Sequence, residues 1–265
     1  MIQSLYRYRS FIWTNAVAEL RHRYAGTNLG IVWNVLHPLA LIAVYAIVFT
    51  QVMRNGIARP VSGMNANLSF LLYLTSAFLP WIAFAECVTR GCNAFSDNAA
   101  YLKKLPIPEQ VFVAQTAASA TLGLIISFSL LLAISLVLGL RPSLHWLLLP
   151  LPLLSLQVLG FGLGLLCGTL NVFFRDIGQL LAVVLQLALW TVPVVYPKQI
   201  LPGWAQSVLA WHPLYPPLEA IRDLFLFREV PGPGLWVGMI VWPLLTCAVA
   251  WLAFRALRTE IRDLL

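Results

Sequence analysis

The sequence predicts an all-α polytopic membrane protein with six transmembrane helices, an N-terminal amphipathic interface helix, and a re-entrant helix pair before the last span. Three observations predict it. Of 265 residues, 60% are hydrophobic, while only 17 are basic and 10 acidic. The charges are bunched, leaving six charge-free windows at Tyr24–Met53, Pro60–Ala85, Gln110–Leu140, Pro142–Phe174, Ile177–Pro197 and Val230–Phe254. Each can cross a hydrocarbon core of ~30 Å, for which a helix needs about 20 apolar residues. A seventh gap, Gln199–Leu218, has the length but is broken by Pro202, Gly203, Pro213, Pro216 and Pro217, so it is not counted as a span.

Lipid leaves no partner for free backbone groups, so a crossing segment is a helix or a strand of a closed barrel. Barrel strands are ~10 residues long and alternate in polarity. These windows are longer and apolar all round, which selects helices. No stretch remains for a separate soluble domain, so residues 1–265 form one membrane domain. The net charge of +7 reflects membrane orientation rather than nucleic-acid binding. With the amino terminus in the cytosol, eleven basic residues lie inside and six outside, a positive-inside bias placing both termini in the cytosol. The first 30 residues lack the apolar core and cleavage site of a signal peptide, so the mature chain is expected to begin at Met1. Cys87, Cys92, Cys167 and Cys247 are scattered without ligand spacing and read as small apolar fillers.

Over residues 10–25, Trp13, Ala16, Val17, Leu20 and Tyr24 share one helical arc, while Asn15, Glu19, Arg21, His22 and Arg23 fill the rest. This predicts a helix in the headgroup layer, where aromatics and cations are both favoured. Gly26 and Gly30 end it before the first span, residues 31–53. The second span covers residues 68–88, with Glu86 close to its cytosolic end as an interfacial carboxylate near Arg90; a proton relay is the alternative. The cytosolic loop 92–110 holds Tyr101-Leu102-Lys103-Lys104-Leu105 before Pro106. It predicts a short helix presenting Tyr101, Leu102 and Leu105 beside two lysines. Such a helix docks on a soluble partner or, more simply, fixes topology as a basic loop.

The third span is residues 111–138 and the fourth 144–170. The fourth carries Gly160, Gly164 and Gly168 at four-residue spacing, a face that lets another helix approach closely, within the subunit or between two copies. Arg175 and Asp176 sit in the short connection to span five, residues 178–196, which ends in Pro193-Val194-Val195-Tyr196-Pro197. Prolines there free carbonyls and bend the chain. Residues 198–234 hold two short apolar patches, Trp204–Trp211 and Leu218–Phe227, too short to cross and predicted to dip in from outside and return. Glu219 and Asp223, with Arg222 alongside, suggest either carboxylate-pair chemistry or the ordinary i,i+4 placement of an interfacial helix. The last span, residues 235–254, leads to the basic tail Arg255–Arg262.

This order of elements resembles the ABC-2 type permeases of the polysaccharide exporters. The residues that carry the resemblance are Arg23-Tyr24, Gly26, Leu29-Gly30, Trp33 and Pro38; then Leu102, Lys104 and Pro106-Ile107-Pro108; then Asn171, Arg175-Asp176-Ile177, Pro193 and Tyr196. Where such permeases carry Asn-Pro between the re-entrant helices, this chain has His212-Pro213. The resemblance implies a homodimer in the cytoplasmic (inner) membrane that receives two separate ABC ATPase subunits. On that likeness Tyr101, Leu102, Lys103, Lys104 and Leu105 form a coupling helix, and Arg175-Asp176 a second contact.

The chain itself offers no phosphate-binding loop, since Lys103, Lys104 and Lys198 are followed by Lys, Leu and Gln rather than Ser or Thr. No catalytic residue, metal or cofactor is expected in it, and ATP and Mg belong to the partner subunit. The expected activity is export of a polyprenyl-linked glycan of O-antigen, capsule or teichoic acid type. An ion-coupled secondary transporter of a lipid or glycan is the alternative, needing intramembrane acidic sites. Trp190, Tyr196, Trp204, Trp211 and Tyr215 line a glycan path or form the aromatic belt of a membrane interface. Trp13, Arg21, Arg23 and Tyr24 meet membrane lipids, with Arg21 and Arg23 receiving lipid phosphates or serving orientation alone.

Overall fold

The computed structural model describes residues 2–23, 26–51, 64–104 and 106–264. These contain helices and no strand. The helices are α1 (Ile2–Arg7), α2 (Arg9–His22), α3 (Trp33–Gln51), α4 (Ala66–Asp97), α5 (Ala99–Lys104), α6 (Gln110–Val137), α7 (Pro150–Phe173), α8 (Asp176–Thr191), α9 (Gly203–Leu209), α10 (Tyr215–Arg222) and α11 (Pro233–Leu264).

By length and composition, four segments can cross a bilayer: Ala66–Asp97, Gln110–Val137, Leu144–Phe173 and Pro233–Ile261. The apolar parts of α3 and α8, Trp33–Val48 and Asp176–Thr191, are shorter. Four of the six expected spans thus have the length and composition to cross, and the other two fall on these shorter apolar helices. The boundaries shift for identifiable reasons. α8 stops at Thr191 because Pro193 lacks an amide hydrogen and Val192 is already extended. α4 runs nine residues past Val88, and α11 takes in the whole basic tail.

α4 is the central helix, enclosed by α3, α6, α7, α8 and α10. It contacts α7 so closely because both surfaces lack side chains. A methyl added at Gly91 would lie 2.8 Å from Gly164 Cα, one at Gly168 would lie 2.6 Å from the Gly91 carbonyl, and Gly160 rests on Cys87 and Phe84. This glycine face lies against α4 of the same chain. The opposite face of α7 is equally tight, with Gly162 against Thr246 and Cys247 of α11. In lipid such approach substitutes dispersion for the missing hydrophobic drive. α11 contains Pro243, which cannot bond the Met239 carbonyl four residues back; the Ser155 hydroxyl of α7 donates to that carbonyl at 2.7 Å instead.

Two clusters of buried side chains hold the bundle. The larger fills the middle between α4, α6, α7 and α10, and includes Phe84, Phe128, Leu156 and Phe225. The smaller gathers Phe95, Leu102, Phe112, Leu165, Phe254 and Ile261 at one end, called below the α5 end. The α9–α10 hairpin marks the other. α2 packs on α6, with Phe11 edge-on to Phe112 at 6.2 Å. Its predicted apolar arc is split: Ala16 and Leu20 are buried, whereas Trp13 is 59% exposed. The reason lies in Glu19, assigned to the polar face, which turns toward α4 to meet a charge there. Tyr24 lies outside the described residues.

Candidate functional site

At the α5 end, α2 and α4 meet through four charged side chains. Arg23, the C-cap of α2, pairs with Glu86 of α4. Arg90, one turn after Glu86, pairs with it at 2.9 Å and with Glu19 of α2, and approaches Ser119 of α6 at 3.4 Å. The four side chains are each about a quarter exposed. They line, with His22, an open crevice of about 460 Å³. Arg23 and Glu86 also line an adjoining cavity of about 70 Å³, walled by Asn34, His37 and Pro38 of α3, Leu79 and Ile82 of α4, and Leu124 and Ser127 of α6. Asn34 Nδ2 donates to the Leu20 carbonyl at 3.1 Å, tying α3 to α2 beside the crevice. Arg21 is exposed and does not line the crevice.

The i,i+4 spacing of Glu86 and Arg90 shows their pairing in the sequence. The Arg23–Glu86 and Glu19–Arg90 pairs leave no such trace, because they join elements more than 60 residues apart.

α5 sits at the same end. Its start is held by the Asn98 carbonyl, which accepts from the Tyr101 and Leu102 amides, and Asn98 Nδ2 donates to the Ala94 carbonyl at 2.8 Å. Tyr101, Lys103 and Lys104 are exposed, but Leu102 is 2% exposed and buried in the smaller core. Leu102 is thus not presented outward; a six-residue helix has no stability of its own and needs an apolar anchor. Leu105 lies outside the described residues. Arg175 and Asp176, both exposed, stand at the start of α8, where the Asp176 carboxylate faces the positive end of the helix dipole. Asn171 fixes this connection against α4: its Nδ2 donates to the Cys92 carbonyl at 3.3 Å, and its Oδ1 accepts from the Gly178 amide at 3.2 Å.

The other end is organised by Arg222, which is 1% exposed. Pro193 breaks α8 and leaves carbonyls pointing inward. Arg222 Nη1 donates to the Pro193 carbonyl at 2.6 Å and Nη2 to that of Val194 at 2.8 Å. Its guanidinium also stacks 3.7 Å over the Tyr73 ring. Glu219 lies 3.7 Å from Arg222 and 2.6 Å from Lys198, whose ammonium also reaches the Tyr215 hydroxyl at 3.1 Å. Burial alone would lower the Lys198 pKa, but hydrogen bonding and charge from Glu219 raise it overall.

Sequence reasoning placed Arg222 among the outer charges and missed its role. The available signal was a cation in an apolar decapeptide following a Pro-Val-Val-Tyr-Pro run rich in freed carbonyls.

His212 supplies the hairpin turn. Its Nδ1 accepts from the Leu214 amide two residues on, at 3.2 Å, the contact an Asn side chain makes in an Asx turn. Its Nε2 lies 3.5 Å from the Thr191 hydroxyl.

The five aromatics of the expected glycan path are dispersed. Trp190, Trp204 and Trp211 are 60%, 74% and 79% exposed, and Tyr196 donates to the Trp190 carbonyl at 2.7 Å. A polar hollow of about 460 Å³ near Lys198, Glu219 and Asp223 is lined by Tyr73 and Phe227, and by none of those five. Glu219 is committed to Lys198 and Arg222, which makes the Glu219–Asp223 spacing part of a structural network. Among the described residues no group of His, Cys, Asp and Glu is arranged to hold a metal ion.

A family model described as ABC-2 type transporter matches residues 10–226, from α2 through the end of the hairpin. The chain is similar to an O-antigen export system permease protein RfbA of Myxococcus xanthus, at 29% identity over 233 residues, covering 87% of this chain and 86% of that protein. An RfbA of Klebsiella pneumoniae is 27% identical over 209 residues, 78% of this chain and 77% of its own length. The polysialic acid transport protein KpsM of Escherichia coli is 22% identical over 217 residues, 82% of this chain and 79% of its own.

Proposed function

Since the chain belongs to the ABC-2 type transporter family, we propose that it is the transmembrane subunit of an ATP-driven exporter of a polyprenyl-linked polysaccharide, of O-antigen, capsule or teichoic acid type. The observation that carries this reading is the family match over most of the chain, joined to relatives named for O-antigen and polysialic acid export. The sequence contains no Lys followed by Ser or Thr, so nucleotide is bound by a separate ATPase subunit.

In this reading the subunit sits in the cytoplasmic membrane with the α5 end and both termini in the cytosol. α3 and α8 complete six crossings, and the α9–α10 hairpin dips in from outside. Two copies associate. The unfilled apolar stripe of α8, with Leu180, Val183, Val184, Leu187 and Trp190 exposed at helical spacing, supplies surface for lipid and for the second copy. Two ATPase subunits seat on Tyr101, Lys103 and Lys104, with Arg175-Asp176 as a second contact and Leu102 transmitting their motion into the bundle. The glycan passes between the two copies, over rings such as Trp190, Tyr196, Trp204, Trp211 and Tyr215. Arg23, with Arg21 at the surface, receives the lipid phosphate at the inner mouth. Ion-coupled transport is disfavoured by Glu86: among the described residues it is the acidic side chain nearest a span core, and it is held by two arginines rather than free to cycle protons.

Reconstitution with and without the partner ATPase tests this. ATP-dependent glycan translocation is expected only with both components. Equal translocation in the two preparations overturns the reading.

A further inference from the structure

The crevice at the α5 end holds more than the proposed phosphate receiver. Arg23 and Arg90 both open into it, and both are already engaged by carboxylates, Arg23 by Glu86 and Arg90 by Glu86 and Glu19. Two of these pairs join α2 to α4. The four formal charges cancel, the side chains remain partly accessible, and the set is incompletely satisfied: Glu19 Oε2 is buried with no hydrogen-bond partner. The adjoining cavity shares Arg23 and Glu86, and its farther wall includes Leu41, Leu79, Ile82 and Leu124. That cavity is small, about 70 Å³, and lined also by Asn34, His37 and Ser127, so the charged crevice fits the phosphates of an amphiphile whose hydrocarbon chain stays in the bilayer.

We infer that Glu19 and Glu86 are internal stand-ins for those phosphates, so that a polyprenyl diphosphate loads by ion-pair exchange. A carboxylate and a phosphate present a guanidinium with the same two-pronged acceptor, so one replaces the other without moving the arginine. The ligand must outcompete carboxylates held in place by the protein. A diphosphate, with more charge and more acceptor oxygens, does so; the singly charged phosphodiester of a bulk phospholipid does not. Repulsion between the arriving phosphates and the displaced carboxylates then drives Glu19, and α2 with it, away from α4. The carboxylates thereby select the diphosphate lipid from the surrounding membrane and link its arrival to release of α2. This rests on the proposal that Arg23 receives lipid phosphate, and adds Arg90, Glu19 and Glu86 to it.

The test uses the full-length protein in phosphatidylcholine nanodiscs, with undecaprenyl diphosphate, phosphatidylglycerol, undecaprenol and inorganic pyrophosphate as separate probes. The wild type is expected to prefer undecaprenyl diphosphate over phosphatidylglycerol by at least about tenfold, roughly 1.4 kcal/mol. Glu19→Gln with Glu86→Gln is expected to tighten both and to erase most of that preference. A folded double variant that keeps the full preference, or that loses diphosphate affinity, overturns the inference. Should the double variant not fold, Glu19→Gln alone leaves the Arg23–Glu86–Arg90 pairs in place and must shift the preference in the same direction; an unchanged preference is equally fatal. The underlying phosphate reading is tested apart, by Arg23→Gln with Arg90→Gln. Undiminished diphosphate binding there, or undecaprenol binding as tight as the diphosphate, removes that reading whatever the carboxylates do. Pyrophosphate binding as tightly as the lipid would assign the crevice to a soluble anion and overturn the lipid assignment.

Discussion

A guanidinium that is 1% exposed inside an apolar bundle needs protein acceptors in place of the water it loses. Arg222 finds its acceptors in the Pro193 and Val194 carbonyls past the end of α8 and the Tyr73 carbonyl of α4, with Glu219 at 3.7 Å. Arg222→Met is therefore expected to leave two inward carbonyls unpaired and to cost about 3 kcal/mol, read as a lower melting temperature by tryptophan fluorescence. Arg222→Lys should restore only part, since an ammonium cannot span both carbonyls. His212 yields a pH prediction. Burial lowers its pKa below the ordinary 6.5, so the neutral ring is the one that accepts from Leu214. The stability this contributes is complete above 6.5 and disappears as the pH falls through the depressed value. Between pH 7.5 and about 5, the wild type should lose more stability than His212→Asn, whose amide makes the same turn without titrating; equal losses in parallel melts would refute it. At this scale the sequence shows pairs that share a helix turn, such as Glu86–Arg90. It hides Arg23–Glu86 and the Arg222 carbonyl clamp, because only the packing of α2 on α6 and of α10 on α4 brings those groups together.

The helices are legible where composition reports lipid and illegible where it does not. Charge-free windows find the hydrocarbon-facing stretches, and Pro193 marks the end of α8. The continuations of α4 to Asp97 and of α11 to Leu264 escape hydropathy, which records where lipid ends, whereas a helix ends where its backbone bonds or its packing end. Gly91 against Gly164 and Phe95 against Phe254 hold those continuations in place. The glycine periodicity of α7 is visible as spacing, but that its partner is α4 of the same chain is not. Gly168→Val should force the Gly91 carbonyl to shift and destabilise by at least about 2 kcal/mol, seen as loss of the monodisperse peak in size-exclusion chromatography. Gly203→Ala, which meets open space, should elute and melt as the wild type does.

At the scale of the whole molecule, the proposed seating of the ATPase on the α5 end assigns the exposed Lys103 and Lys104 to the partner and the buried Leu102 to the bundle. Lys103→Glu with Lys104→Glu should weaken co-purification with the ATPase subunit about tenfold or more at low salt, while leaving membrane insertion intact because Leu102 still anchors α5. Unchanged co-purification at both low and high salt would refute this. α11 spans the molecule differently. Near the α5 end, Arg258 joins Glu109 of the α6 start at 3.1 Å; toward the hairpin end, Gly238 lies directly on the Pro216 ring. Pro243 divides the helix into arms of about 15 Å toward Pro233 and about 32 Å toward Leu264, and Ser155 grips the joint. The consequence is a lever of unequal arms. A rigid tilt of α11 about that joint would move the Pro233 tip in the opposite sense and roughly half as far as the Leu264 tip, so on the proposed seating of the ATPase at the α5 end the hairpin on the short arm would be geared down.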